Sequence, residues 1–383
     1  MNGGSVEELA ARLGLGSRQL RRLFVQHLGV SPLKIATAHR VQLARKLINE
    51  SGLPMTQIAF GSGFKSIRDF NYAILLSTGL SPTELRRGAD GSQPMARPGG
   101  LELRLPYRNP FDWTSLIAFL KLRAIPWVEL VTNNSYERTI EVAGIPGILT
   151  VTPDASRSRV IVRLQAANYE GLAQTVDRVR RIFDLSADPI QIARHLSSDP
   201  KLQALIKKRP GLRVPGVWDG FEAAVLAVLG QSLTSSGPIE LVARFVQLFG
   251  AQLETPIRGL KYLFPRPAII VHADLSKAGI DDDRANIIRN LASSSIGTNL
   301  SFAPFNALEQ VLSELGRAFG IDESTASYIA MRALGEPDAF PLNESEFRRL
   351  NAGSKPGRIS AELLVDTERW RPWRAYAVMH LTQ

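Results

Sequence analysis

The chain of 383 residues contains no cysteine and carries a formal net charge of +10, with a sequence pI near 10.0. The missing cysteines exclude disulfides, thiolate catalysis and cysteine-based zinc sites, and five histidines leave little for a histidine-rich metal centre, so we expect no metal and no cofactor. No run approaches the roughly 18 apolar residues that cross a bilayer, and the start lacks a signal-peptide pattern. We therefore expect a cytoplasmic protein without a membrane partner.

The positive charge is concentrated at the start of the chain. Residues 1–90 carry 12 Lys and Arg against 6 Asp and Glu, an excess of +6. A basic surface serves solubility in many proteins, but this concentration favours a polyanionic partner. At this length the chain can form two or three domains, each with its own core.

The first helical unit reads as a helix-turn-helix. A short amphipathic helix ends at Gly14 and Gly16, and Ser17 is expected to cap a second helix over 18–28. The face of that helix opposite its apolar side presents donors suited to base edges and phosphates, as a recognition helix does in the major groove. These candidate DNA contacts are Ser17, Arg18, Arg21 and Arg22.

The same pattern returns after a linking helix over about 33–49. A helix opening at 54–59 is followed by the turn 61–64 and by a second recognition helix over 67–76, which Ser66 is expected to cap. Its candidate DNA contacts are Ser66, Arg68 and Asn71.

The doubled unit, with IAxxxGF, S-x-x-x-F and the closing TGLSPTELRR, resembles the DNA-binding domain of AraC-type transcription regulators over nearly all of residues 1–90. The resemblance implies a double-stranded DNA partner, and the alternative is a small helical domain whose arginines form a solvated face. In Ada-type proteins this module follows a cysteine-rich methyl acceptor domain. Because the chain has no cysteine, that acceptor chemistry cannot be carried over.

Residues 91–100 have the Gly, Pro and Ser content of a linker, and 101–185 read as a small α+β domain. Strands are predicted at 101–105, 136–142, 147–152 and 159–165, with helices over 111–123 and 171–183. The run RLPYRNPFDW…FLKLRAIPWVE, which includes Arg123, resembles the N-terminal domain of AlkA-type 3-methyladenine DNA glycosylases. We assign these residues to packing and to shielding the neighbouring domain.

Residues 186–383 contain a predicted helix-hairpin-helix. Two apolar helical faces flank the turn at Gly320, Ile321 and Asp322, the second helix ends at Gly335, and Asn343 can cap a helix that follows. Upstream, a helix is expected to follow Gln231 and to run through Phe249.

The hairpin resembles the AlkA-type pattern LPGIGxxTA, which is followed by DAFPxxD with the catalytic carboxylate as its last residue. The resemblance implies a DNA-binding hairpin, a catalytic acid, a wedge that fills the emptied base stack, and a base pocket. The hairpin residues are Gly320, Ile321, Asp322 and Thr325; the acid is Glu344; the wedge is at Gln231 and Ser232; the pocket positions are Ser324, Tyr328 and Thr382.

Five of these positions depart from the family pattern. Glu344 is one methylene longer than the family Asp, Ser232 fills a gap poorly, and Ser324 and Thr382 replace two tryptophans. Asp322 replaces a glycine that supplies positive φ, and its charge is expected to repel a phosphate. An acid at 344 is also favoured simply by the dipole of a helix's first turn.

We thus expect a mainly α, multi-domain protein: a double helix-turn-helix (1–90), a linker (91–100), an α+β domain (101–185) and an all-α glycosylase-like domain (186–383), with the chain a monomer. Two functions stay open. The first is a glycosylase that flips and excises alkylated purines, fused to a transcription-regulator module. The second is a catalytically impaired scaffold that acts as a DNA-binding regulator or lesion-recognition protein.

Overall fold

The computed structural model describes residues 6–13, 15–51, 53–88, 100–142, 144–167, 169, 171–296, 308–343, 346 and 367–383. The chain separates into two compact units. The first comprises 1–104, 140–150 and 161–177, and the second comprises 105–139, 151–160 and 178–383. Within the described ranges, no helix is long and apolar enough to cross a membrane, and no cluster of acidic or histidine side chains could hold a metal ion. Of the predicted linker only Gly100 is described, and the four-part division stays a prediction.

The first unit begins with the two predicted helix-turn-helix motifs. Their helices are α1 Val6–Arg12, α2 Ser17–Leu28, α3 Pro32–Glu50, α4 Met55–Gly61, α5 Ile67–Thr78 and α6 Pro82–Gly88. Gly29 and Gly79 end the two recognition helices with φ of 72° and 73°, a conformation that glycine adopts without strain. The described residues thus confirm the mainly helical pattern predicted for this part of the chain.

The caps of the two recognition helices differ. Ser66 caps α5 as predicted, because its Oγ accepts a hydrogen bond from the backbone N–H of Asp69 at 3.1 Å. The predicted cap at Ser17 is wrong. Gly16 is the N-cap, with φ −71° and ψ 145°, and Ser17 is the first residue inside α2. Glycine is nearly as favourable as serine at this position, so no side-chain cap is needed.

A five-stranded sheet with strand order β1-β5-β4-β3-β2 follows in sequence. Its strands are β1 Leu101–Pro106, β2 Glu129–Val131, β3 Tyr136–Val142, β4 Ile145–Asp154 and β5 Arg159–Ala166. The accompanying helices are α7 Trp113–Leu122 and α8 Leu172–Ile182. Strand β2, which the sequence analysis missed, pairs antiparallel with β3 in the register Glu129 to Arg138.

Most of the second unit is helical. Its helices are α9 Pro189–Leu196, α10 Pro200–Lys208, α11 Gly220–Val228, α12 Ile239–Phe249, α13 Pro267–Ile270, α14 Asp282–Ile296, α15 Leu308–Phe319, α16 Glu323–Ile329 and α17 Arg374–Thr382, with a hairpin of β6 Gln252–Ile257 and β7 Leu260–Tyr262. The helix predicted to follow Gln231 begins only at Ile239, because Gly230 and Gly237 have positive φ and Pro238 occupies the N-cap. Residues 231–238 therefore form a loop.

Helix α11 lies in the centre of this unit's core. Residues 221–227 are buried, including the carboxylate of Glu222. The Arg138 guanidinium neutralises it through two parallel hydrogen bonds, from Nη1 to Oε1 at 3.1 Å and from Nη2 to Oε2 at 2.8 Å. A buried ion pair is tolerated only with such complete pairing. The pair fixes the rotation of α11, which ends at Val228, two residues before the loop 231–238.

Candidate DNA-binding hairpin and base pocket

The hairpin consists of α15, the turn 320–322 and α16, as the sequence predicts. Gly320 has φ 67°, and no atom lies within 4 Å of the position a Cβ would take. Its N–H donates to the carbonyl of Gly316 at 3.0 Å, and the N–H of Ile321 donates to Leu315 at 3.4 Å. Both N–H groups are therefore bonded to carbonyls at the C-terminal end of α15. The side chain of Ile321 is buried in the core.

Asp322 begins the second helix of the hairpin. Its φ of −64° and ψ of 158° are ordinary extended backbone, so this position does not have the positive φ that the family glycine supplies. Its carboxylate is the N-cap of α16 and accepts hydrogen bonds from the N–H of Thr325 at 3.0 Å and from the hydroxyls of Ser324 and Thr325 at 2.6 Å each. Although burial raises the pKa of Asp322, these hydrogen bonds hold it below its usual value. The charge is thus retained at the turn.

Two predicted site residues beyond the turn lie at different depths. Ser324 is half-buried and its hydroxyl is directed to Asp322, whereas Tyr328 is only 2% exposed. The Tyr328 hydroxyl accepts a hydrogen bond from Arg332 Nη1 at 2.7 Å. Arg332 belongs to a turn of π-helix, Ala330–Leu334, and its guanidinium lies 4.9 Å from the ring centre of Phe119. Tyr328 therefore belongs to the hydrophobic core of this unit.

A cavity of about 630 Å³ lies in this unit. Its wall includes the predicted pocket residue Thr382 and two residues that follow the predicted wedge, Leu233 and Thr234. The cavity is also lined by Phe119 of α7 and by Arg123, the residue after the end of that helix. The hydroxyl of Thr382 donates to the carbonyl of Val378 at 2.8 Å within α17, so the polar atom is engaged by its own helix.

Arg123 fixes the wedge loop, which we define as residues 231–235. Its guanidinium donates to the carbonyl of Ser232 at 3.2 and 3.1 Å and to the carbonyl of Leu233 at 2.5 Å, while its own carbonyl accepts a hydrogen bond from the buried Gln231 side chain at 3.4 Å. Desolvation lowers the pKa of Arg123. Arg123 was assigned to packing, but in the structure it also binds the wedge loop. The sequence feature that could have indicated this is an arginine at the end of a largely apolar helix.

The turn that leads to Glu344 is held by hydrogen bonds to three side chains. Asp338 accepts from Arg371 at 2.6 Å and from Arg374 at 2.9 Å, and the N–H of Phe340 donates to the Ser327 hydroxyl at 2.8 Å. As predicted, Asn343 is a cap: its Oδ1 accepts from the N–H of Glu346 at 2.9 Å. Glu344 itself lies outside the described residues.

Five of the seven candidate DNA contacts of the helix-turn-helix motifs are exposed, and the other two, Ser17 and Ser66, are half-buried. Arg18, Arg22, Arg68 and Asn71 are exposed. Arg21 is also exposed, but its guanidinium forms an ion pair with Glu7 at 3.0 Å. The assignment of these residues to DNA contacts stays a prediction.

Two family models match the chain. Residues 9–88 match a helix-turn-helix domain, and residues 102–219 match the AlkA N-terminal domain. The chain is 35% identical over 380 residues to a probable bifunctional transcriptional activator/DNA repair enzyme AlkA of Mycobacterium tuberculosis, an alignment that covers 98% of this chain and 76% of the relative.

A second relative and a solved structure resemble the later part of the chain. DNA-3-methyladenine glycosylase 2 of Escherichia coli is 32% identical over 282 residues, which are 72% of this chain and 95% of that protein. The structure of a 3-methyladenine DNA-glycosylase from Archaeoglobus fulgidus superposes with a TM-score of 0.62 at 24% identity, covering 73% of this chain and 97% of that one. The last comparison concerns the fold alone.

Proposed function

This chain belongs to the AlkA family of DNA-3-methyladenine glycosylases, in the form that carries an AraC-type helix-turn-helix module, and on that premise we propose that it binds duplex DNA and excises alkylated purines slowly. The observation that carries the proposal is the grouping, around one cavity, of Arg123, the wedge loop and Thr382. In such a reaction a nucleotide is flipped from the duplex and the emptied stack is filled by a wedge. We assign the wedge to Ser232.

Glu344 is the proposed acid. The N-glycosidic bond breaks with its electron pair on the base, and the Glu344 carboxylate stabilises the positive charge that develops on the sugar. Water then adds to the sugar carbon and gives one proton to the carboxylate. The turn that precedes it is held by the ion pairs of Asp338 and by the Asn343 cap. A catalytic carboxylate needs such fixed geometry, because a displacement of about 1 Å costs on the order of a hundredfold in rate.

The low rate follows from the pocket. Stacking a cationic base on an aromatic ring contributes roughly 0.5 to 2 kcal/mol per face. Ser324 and Thr382 have no such face, and their hydroxyls are engaged by Asp322 and Val378. The same observation favours a second candidate, a scaffold that recognises lesions without turnover and acts as a DNA-binding regulator.

Single-turnover release of 3-methyladenine and 7-methylguanine from methylated DNA separates the two candidates. We expect slow release by the wild type, a loss of about a hundredfold or more in Glu344→Gln, and little gain in Glu344→Asp, because the pocket is unchanged. Binding to a duplex with an abasic analogue is the control for folding. Equal release by the wild type and Glu344→Gln, at the rate of buffer alone, would establish the non-catalytic candidate.

A further inference from the structure

We propose that Glu346 is a positioning residue that couples the wedge loop to the turn carrying Glu344. The proposal rests on the proposed function, because it concerns how insertion of the loop into DNA reaches the acid. It makes base excision dependent on the contact between Glu346 and Thr234.

The two oxygens of the Glu346 carboxylate have separate partners. Oε2 accepts from the N–H of Asn343 at 3.0 Å, and with the return bond from the N–H of Glu346 to Asn343 Oδ1 this forms a reciprocal capping box. Oε1 accepts from the hydroxyl of Thr234, 112 residues earlier in the chain. Capping needs only one oxygen, so the contact with Thr234 is additional to the local role of the residue.

Thr234 is continuous with the candidate wedge. Its N–H and its hydroxyl both lie within hydrogen-bond distance of the Ser232 hydroxyl, at 3.3 and 3.4 Å. The N–H of Ser232 in turn donates to the carbonyl of Ser235 at 3.0 Å. The loop is thus closed on itself, so a movement of Ser232 is transmitted to Thr234 rather than absorbed between them.

The loop is held from two directions. Arg123 binds the carbonyls of Ser232 and Leu233, and Glu346 binds the Thr234 hydroxyl. Leu233 and Thr234 also line the cavity. A continuous series of hydrogen bonds therefore joins the cavity wall, the wedge loop and the cap of the turn. Coupling requires such contiguous contacts, and bonds to a charged acceptor are the stronger kind.

Binding of DNA is expected to act through this series of hydrogen bonds. Insertion of Ser232 between base pairs displaces the loop backbone, and Thr234 then pulls on the carboxylate that caps the turn. The contact thereby carries the insertion to the capping box of Asn343 and Glu346, which flanks position 344 in the chain.

Removal of either partner tests the contact. Thr234→Val replaces the hydroxyl with a methyl of similar size, Glu346→Ala removes the carboxylate, and Glu346→Gln keeps a capping oxygen. Thr132→Val is the matched control, since the hydrogen bonds of Thr132 to described residues stay within the surface turn, to Asn134 and Ser135. We expect Thr234→Val and Glu346→Ala each to lower the single-turnover rate about tenfold, equivalent to about 1.4 kcal/mol. Affinity for abasic-analogue DNA should change less than threefold.

The double variant shows whether the two single substitutions slow excision through the same contact or through separate effects. If the contact is the common cause, Thr234→Val with Glu346→Ala is no slower than either single variant. Losses that multiply to about a hundredfold would overturn the proposal while leaving the proposed function intact. Glu346→Gln should be the mildest variant, because the capping box accepts glutamine.

A second measurement does not depend on turnover. Hydrogen exchange of the peptide that spans Asn343 to Glu346 should change when the wild type binds abasic-analogue DNA, and this change should be absent in Thr234→Val. The same response in both proteins would overturn the coupling. Absent base release together with the expected exchange result would refute excision and support the coupling.

Discussion

At the scale of single residues, two titratable side chains give the free energy of unfolding opposite dependences on pH. Burial raises the pKa of Asp184 to about 6, although the hydroxyl of Tyr376 donates to its carboxylate at 2.7 Å. Burial lowers the pKa of His380 to about 4, and its Nδ1 has no hydrogen-bond partner among the described residues. Each group prefers to be neutral in the fold.

The signs of the two effects are opposite. The folded state binds the Asp184 proton more tightly than the unfolded chain does, so this stabilisation is complete below about pH 4 and is lost as the pH rises through about 6. For His380 the folded state prefers the deprotonated ring. Its contribution is complete above about pH 6.5 and is lost as the pH falls through about 4.

The two slopes should largely cancel in the wild type. We therefore expect the thermal stability of the wild type to change little with pH between 4 and 6.5. The stability of Asp184→Asn should rise with pH over this window, and that of His380→Gln should fall. Each unmasked slope should amount to about 3 kcal/mol across the window, since each pKa lies about two units from its ordinary value and one pKa unit is about 1.4 kcal/mol. Melting temperatures at half-unit pH steps provide the measurement. Parallel profiles for all three proteins would contradict the assignment.

At the scale of elements, the hairpin combines a helix cap and a charge in one side chain. Asp322 caps α16 through Thr325, and the same carboxylate lies at the turn proposed to approach a DNA phosphate. Asparagine at this position keeps a capping oxygen and removes the charge, whereas alanine removes both. The two contributions can therefore be measured separately.

We expect Asp322→Ala to lower the free energy of unfolding by about 1 kcal/mol, and Asp322→Asn to lower it by a few tenths at most. Both variants remove a negative charge, so both should bind duplex DNA about two to five times more tightly at low salt, with the difference fading as salt is added. Denaturant melts and fluorescence anisotropy are the two measurements. Unchanged DNA affinity in Asp322→Asn would place the phosphate backbone away from this turn.

The elements that the sequence predicted are those with a long local signal. Helices α2, α3, α5 and α15 carry apolar residues at helical spacing over 12 to 19 residues, and strands β3 and β5 alternate over 7 and 8. Strand β2 has three residues, too few for alternation to register. Its pairing with β3 is a tertiary contact that no local pattern encodes.

The candidate site was less predictable because its contacts join distant parts of the chain. Resemblance identified the positions of Ser232, Asp322 and Thr382, but Arg123 reaches Ser232 across 109 residues and Glu346 reaches Thr234 across 112. Asp322 shows a further limit. A glycine in the family pattern suggested positive φ, whereas an aspartate at the start of a helix can serve as a cap with ordinary backbone angles.

At the scale of the whole molecule, the chain has two candidate DNA-binding surfaces, one in each unit. The helix-turn-helix motifs present Arg18 and Arg22 on exposed surface, and the second unit contains the hairpin and the cavity. Two linked sites on one duplex raise the effective concentration of the second once the first is bound. Loss of phosphate contacts in the first unit should therefore weaken binding of the full chain to long DNA.

Salt dependence isolates that contribution. Each phosphate contact adds about 0.9 to the slope of log K against log salt concentration, so Arg18→Ala with Arg22→Ala should reduce the slope by up to about 1.8 on a long undamaged duplex. The charge-matched control is Arg157→Ala with Arg194→Ala, which removes two exposed arginines of the second unit. On a lesion duplex too short for both surfaces, base release by the two double variants should be equal. If the control variant lowered the salt slope as much as the α2 variant does, the effect would come from net charge alone. That result would contradict the proposed role of the double helix-turn-helix in holding the protein on DNA.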